Sequence, residues 1–253
     1  MNVIVLLAII LLVLMIMVGG KKGLRSFFSL FLNFGVIFFT LAFMLNPDMN
    51  PIILTFIASV LIGCISLFYI NEINQKTIIA FISTMITTVI LLVFIVFVSD
   101  SLMIQGFGEE ETEALSGYSL YIGIDFMKIG VSVIILSTIG AIMDVAISIA
   151  SAMHEIVKHN PKIGKKDLVN SGINIGRDIL GADTNTLFFA FFGGYLALLI
   201  WFKDLSYSIG EIINSKIFSS ELMLILCAGT GVALVIPISS WINAYYLLRV
   251  KEK

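Results

Sequence analysis

The chain has 253 residues, of which 59% are hydrophobic and only 13% charged, with a formal net charge of −2 and a mean hydropathy of +1.07. Soluble domains carry about 25% charged residues, so this composition excludes a water-soluble globular protein and points to an integral membrane protein. The net charge says nothing about a nucleic-acid partner, because the basic residues are scattered through loops, and none is expected.

In chain order, seven stretches are long and apolar enough to cross a bilayer: residues 2–18, 27–45, 51–70, 78–98, 122–150, 184–202 and 221–248. The expected fold is all-α, a polytopic transmembrane bundle forming one integral membrane domain over 1–253. The first stretch has the length of a signal peptide but lacks a basic leader. Its charges, Lys21, Lys22 and Arg25, follow the apolar run, so it reads as a retained span with its N-terminus outside. Of the 15 Lys and Arg residues, the expected outer side keeps only Lys203 and Lys216, and Lys128 falls within a span. The others gather on the opposite side, which predicts N-terminus out and C-terminus in. The acidic outer stretch 106–113 reads as a solvated loop, with cation attraction as the lesser reading.

The fifth span carries a polar seam. Ser137, Gly140, Asp144, Ser148, Ser151 and Glu155 are spaced 3, 4, 4, 3 and 4 apart, so all six project from one helical face. A carboxylate inside such a span costs roughly 2.5–3.5 kcal/mol on insertion scales and persists by facing protein or a watery path. Asp144 is therefore the candidate for handling a proton or ion; its competing role is a structural carboxylate that pins helix packing. Ser148 and Ser151 either hydrate a path below it or permit close packing, and Glu155 reaches toward the cytoplasmic headgroups. Asp125 and Lys128 lie off this face and read as a structural i, i+3 pair. His154 and His159 superficially suggest a zinc-binding HExxH, but they stand five apart, which turns the second ring about 140° from the first. No metal, cofactor or catalytic nucleophile is expected, and Cys64 and Cys227 read as small apolar side chains rather than a disulfide.

Beyond the fifth span, Asp167, Asn170, Ser171, Asn174, Arg177 and Asp178 share one helical face, and Leu168, Gly172, Ile175 and Ile179 share another. This predicts an amphipathic helix over 164–181 lying in the cytoplasmic interface. Asp183 or Thr184 is a fitting N-cap for the sixth span. Arg177, Asp178, Asp183, Asn185 and Thr186 are candidates for the cytoplasmic mouth of a path from Asp144. Ala190 and Gly194 form a small-xxx-small face. In the last span Gly229, Gly231 and Pro237 are candidates for packing or a hinge, alongside Gly140 on the fifth.

The runs Gly140–Ile156 (GAIMDVAISIASAMHEI) and Gly176–Phe191 (GRDILGADTNTLFFAF), with a Gly-rich last span bearing Pro237, resemble the YibE/F family of bacterial multi-pass membrane proteins. Gly140 and Asp144 match the first motif of that pattern, and Arg177, Asp178, Asn185, Thr186 and Leu187 match the second. Lacking a large extracytoplasmic portion, the chain is similar to the smaller, YibF-type member. The resemblance implies the bacterial cytoplasmic membrane, and either a paralogous YibE-type partner or a homo-oligomer in the lipid bilayer. More distantly, Gly140–Asp144 and the Asp183–Thr186 helix start resemble the membrane halves of SecD/SecF and RND transporters. That similarity implies proton coupling at Asp144, although only Asn46–Pro51 stands where those proteins carry an outer domain. The function expected is a permease-like or transport-associated component, not an enzyme; the alternative is a non-transporting scaffold or assembly factor.

Overall fold

The computed structural model describes residues 2–102 and 125–251. The acidic stretch 106–113 and the first residues of the expected fifth span lie outside them. Among the described residues the architecture is helical without strands: α1 (Val3–Met44), α2 (Pro51–Gly63) continuing into a π-helical turn (Cys64–Tyr69), α3 (Gln75–Leu102), α4 (Phe126–His159), α5 (Lys165–Gly194), α6 (Leu196–Asp204), α7 (Ile209–Asn214) and α8 (Lys216–Lys251).

Five of these helices are long and apolar enough to cross a membrane, or six if α5 and α6, which meet at a 52° bend, count as one broken span. Seven spans were expected, and the difference lies in α1, which runs through both of the first two expected spans. Its path breaks at Gly20, where φ is 56° and ψ −130°. A Cβ on Gly23 would collide with the carbonyl of Met15, eight positions back. A straight helix would hold those residues about 12 Å apart, so the two halves of α1 turn a sharp corner. Only glycine adopts that backbone without strain.

The centre of the bundle is α4. Its Ile135, Ile142, Val145, Ala146, Ile149, Ala150 and Met153 are fully buried among α2, α3, α5 and α8. Lipid tails are as apolar as these side chains, so cohesion within a bilayer rests on close packing and hydrogen bonds rather than on escape from water. Small residues supply that closeness. Gly231 of α8 sits where a Cβ would come within 2.8 Å of Ile142 and 3.0 Å of Leu91, so α3, α4 and α8 converge there.

The extent of the expected helix over 164–181 is corrected by the structure. Residues 165–181 open α5, which continues unbroken to Gly194. Its small-residue face packs antiparallel on α8. A Cβ on Gly172 would lie 2.6 Å from Ser240 Oγ and from Met153 Sδ, one on Gly176 would collide with Ile236, and one on Gly229 would sit 3.5 Å from Thr184. Farther along, the Phe191 and Phe218 ring centroids are 5.9 Å apart, and the Tyr195 hydroxyl donates to Glu221 at 2.6 Å. The start of α5 is anchored by Lys165, whose ammonium lies 5.4 Å from the Trp241 ring and 5.2 Å from the Tyr245 ring. The expected cap at Asp183 or Thr184 is likewise corrected. Both lie inside a helix whose preceding turn already supplies acceptors, and Thr186 Oγ1 donates back to the Ala182 carbonyl at 2.9 Å. The break comes instead at Tyr195, after Gly193 and Gly194, whose helix propensity is low.

Candidate functional site

Packing of α4 against its neighbours decides where the polar seam points. Ile142, Met143, Val145, Ala146, Ile149 and Ala150 take the buried side. Helical geometry then turns Ser137, Gly140, Asp144 and Ser148 outward, and all four are exposed on the chain's own surface. A Cβ on Gly140 would meet nothing within 4 Å, so this glycine is not a packing contact inside the chain. Ser137 Oγ donates to its own helix, at 2.7 Å from the Val133 carbonyl, and does not reach Asp144.

The antiparallel course of α5 brings a second carboxylate to the seam. The stagger that sets Gly172 against Met153 places Asp183 opposite Asp144, near enough for its charge to act on that carboxyl group. Neither aspartate has an ion-pair or hydrogen-bond partner among the described residues. Two unneutralised carboxylates on adjacent helices form an arrangement that requires a counter-charge in a membrane interior. The geometry therefore suits a shared proton or a bound cation. Among the described residues, no group of three or more His, Cys, Asp or Glu side chains could hold a metal ion.

The other sequence candidates separate from this pair. Glu155 is drawn off by Lys76 at 3.2 Å and Lys158 at 3.7 Å. Ser151 is half-buried and lines a cavity with Lys22 and His154. His159 Nδ1 hydrogen-bonds the Glu155 carbonyl at 2.9 Å. Arg177 makes only a long contact to Asn174, 3.5 Å, and Arg177, Asp178, Asn185 and Thr186 are exposed along α5. Asp125 caps α4 through the Met127 N–H at 3.1 Å and pairs with Lys128 at 3.0 Å. Pro237 is exposed within an unbroken α8, and Gly229 makes an ordinary contact with Thr184. Of the three glycines expected to serve packing or a hinge, Gly140, Gly229 and Gly231, the last is held in a tight packing position.

Sequence reasoning missed a second polar line. Ser83, Thr84, Thr87 and Thr88 of α3 are fully buried. The first three donate to their own helix at 2.8 Å, whereas Thr88 Oγ1 and Ser59 Oγ are buried without a partner among the described residues. Hydroxyls at i, i+1, i+4 and i+5 are a legible signal, but they carry no charge to draw attention.

With this geometry in place, comparison with known proteins is informative on one point. The sequence model of YibE/F-like proteins matches residues 7–249. No curated protein and no solved structure matches the chain, so the SecD/SecF and RND resemblance stands on its motifs alone.

Proposed function

Because the chain belongs to the YibE/F-like family of proteins, and its helices are those of a membrane protein, we propose that it is a permease-like, transport-associated component of the bacterial cytoplasmic membrane. Asp144 and Asp183 together take up and release a proton or a small monovalent cation. The observation that carries this reading is the approach of two carboxylates from α4 and α5, near enough for one charge to act on the other, with no basic partner among the described residues. Loading the pair removes its net repulsion, and unloading restores it. The separation of α4 and α5 at this level then depends on occupancy. Because the pair opens on the outer surface of the bundle, a paralogous YibE-type chain or a second copy would cover it and supply the other wall of a path.

Infrared difference spectroscopy in lipid tests the proton directly. The wild type is expected to show a protonated-carboxyl band at neutral pH that disappears in both Asp144→Asn and Asp183→Asn. Proton flux in vesicles carrying the chain with its partner should fall in the same variants. An unchanged band and unchanged flux would remove the coupling role.

A second reading is favoured by the exposure of Ser137, Gly140, Asp144 and Ser148. In a scaffold or assembly factor this face would bind a partner helix without transporting anything. Asp144→Asn would then release the partner on co-purification, with no proton-linked signal in the wild type.

A further inference from the structure

A different polar site lies at the basic end of the bundle, about 10 Å along α4 from Asp144. There α1, the start of α3 and α4 enclose a cavity of about 440 Å³ lined by Lys22, Asn71, Gln75, Lys76, Ser151 and His154. Three independent features of its wall suit an anion. Among the described residues the charge balance is positive, since Lys22 has no ion-pair partner there and Glu155 is shared by Lys76 and Lys158. The neighbouring Arg25 and Glu72 neutralise each other at 2.8 Å.

The cavity also receives the first residues of α3, a 28-residue helix. Asn74 Oδ1 accepts the Thr77 N–H at 3.1 Å, which leaves the leading N–H groups at Gln75 and Lys76 without an intrahelical acceptor. Such a helix start attracts negative charge. Finally, His154 Nδ1 is buried and has no hydrogen-bond partner among the described residues. Buried nitrogens of that kind are ordinarily satisfied by water or a bound group.

We propose that this cavity binds a phosphate-bearing anion, either the phosphodiester of an anionic lipid headgroup or a free phosphate. Lys22 and the start of α3 hold its charge, and His154 donates to it from Nδ1 in the tautomer that carries the proton there. Lys76 keeps Glu155 turned away from the ligand. The bound anion ties the corner of α1, which packs mainly on α2 and its π-helical turn, to α3 and α4.

The full chain is reconstituted in phosphatidylcholine nanodiscs, and the melting temperature is followed on adding phosphatidylglycerol or inorganic phosphate against chloride at equal ionic strength. Lipid retention is read in parallel by native mass spectrometry. A rise with phosphatidylglycerol alone identifies the lipid as the source, and a rise with phosphate in the neutral discs identifies the free anion. K22Q and H154Q should each weaken the response about tenfold, the worth of one charge-assisted hydrogen bond. K166Q, which removes an exposed charge at the same end without touching the cavity, should leave it intact. Lys22 is exposed, so K22Q preserves the fold and remains informative even if H154Q does not. No response to either anion, or an equal loss in K166Q, overturns the proposal.

Discussion

At the residue scale, glycines separate contacts inside the chain from surfaces turned outward. Gly176 lies where any Cβ meets Ile236, and Gly172 where it meets Met153 and Ser240. Gly176→Leu is expected to destabilise the chain by about 1–3 kcal/mol through overpacking, read as a lower melting temperature in detergent. Gly140→Ala adds a methyl to open space and should gain about 0.5–1 kcal/mol of helix stability in the isolated chain. A loss of stability on Gly140→Ala would show that the face is already packed. Acid sensitivity belongs at this scale too. In α7, Ser208 donates to Glu211 Oε2 from both its backbone N–H and its hydroxyl at 2.7 Å, holding that carboxyl below the usual carboxylate range. A lowered folded-state value stabilises the cap above the unfolded value, about 4.3, and the stabilisation is lost as the pH falls through the folded one. Hydrogen exchange over 209–214, corrected for its intrinsic pH dependence, should therefore quicken below about pH 4, and Glu211→Gln should abolish that change. Small and polar residues at helical spacing in an apolar span made Asp144 legible from the sequence. Asp183 was legible as a candidate for the mouth of the same path, but its place opposite Asp144 comes from the stagger of two helices, which no local pattern encodes.

At the element scale, the outcome turns on where helices stop. The polar run Gly181–Thr186 has the composition of a helix start, yet a helix already under way needs no cap there, and α5 passes through it. The stop at Tyr195 follows two glycines and is held by the bond to Glu221. Tertiary contact with α8 thus overrode a local signal that was chemically sound. In α1 the opposite occurred: Gly19 and Gly20 sit between two apolar runs, and the expected loop contracts to a corner at one residue. Gly20→Ala forces a side chain into φ 56° and ψ −130°, at a cost of about 1–3 kcal/mol. Proteolysis near Lys21 and Lys22 should accelerate correspondingly, and unchanged cleavage would show that the corner straightens without penalty.

At the scale of the whole molecule, composition alone identified the helical membrane bundle, because a chain that is 59% hydrophobic leaves few other ways to satisfy its backbone in lipid. Orientation follows from charge and is open to direct measurement. With Cys64 and Cys227 replaced by serine, Lys166→Cys should react with an impermeant maleimide only when the cytoplasmic face is accessible, and Lys203→Cys in intact cells. The reverse pattern would invert the assignment of both ends. What sequence could not supply was the way the helices pair, since α3, α4, α5 and α8 are each apolar enough to pack in several registers. Their register is selected by small residues such as Gly172, Gly176 and Gly231, whose meaning depends on what stands across from them.

That register has a mechanical corollary. From Lys165 to Gly194, α5 is a single stiff rod with 30 residues and no joint. Sliding it along α8 by one residue carries Asp183 about 1.5 Å past Asp144. In the function proposed above, a displacement of α5 at its Lys165 end reaches the carboxylates, and a change in their charge acts back on that end. On that proposal, the spacing of two acids midway along the bundle becomes a quantity that the distant end of α5 can both set and sense.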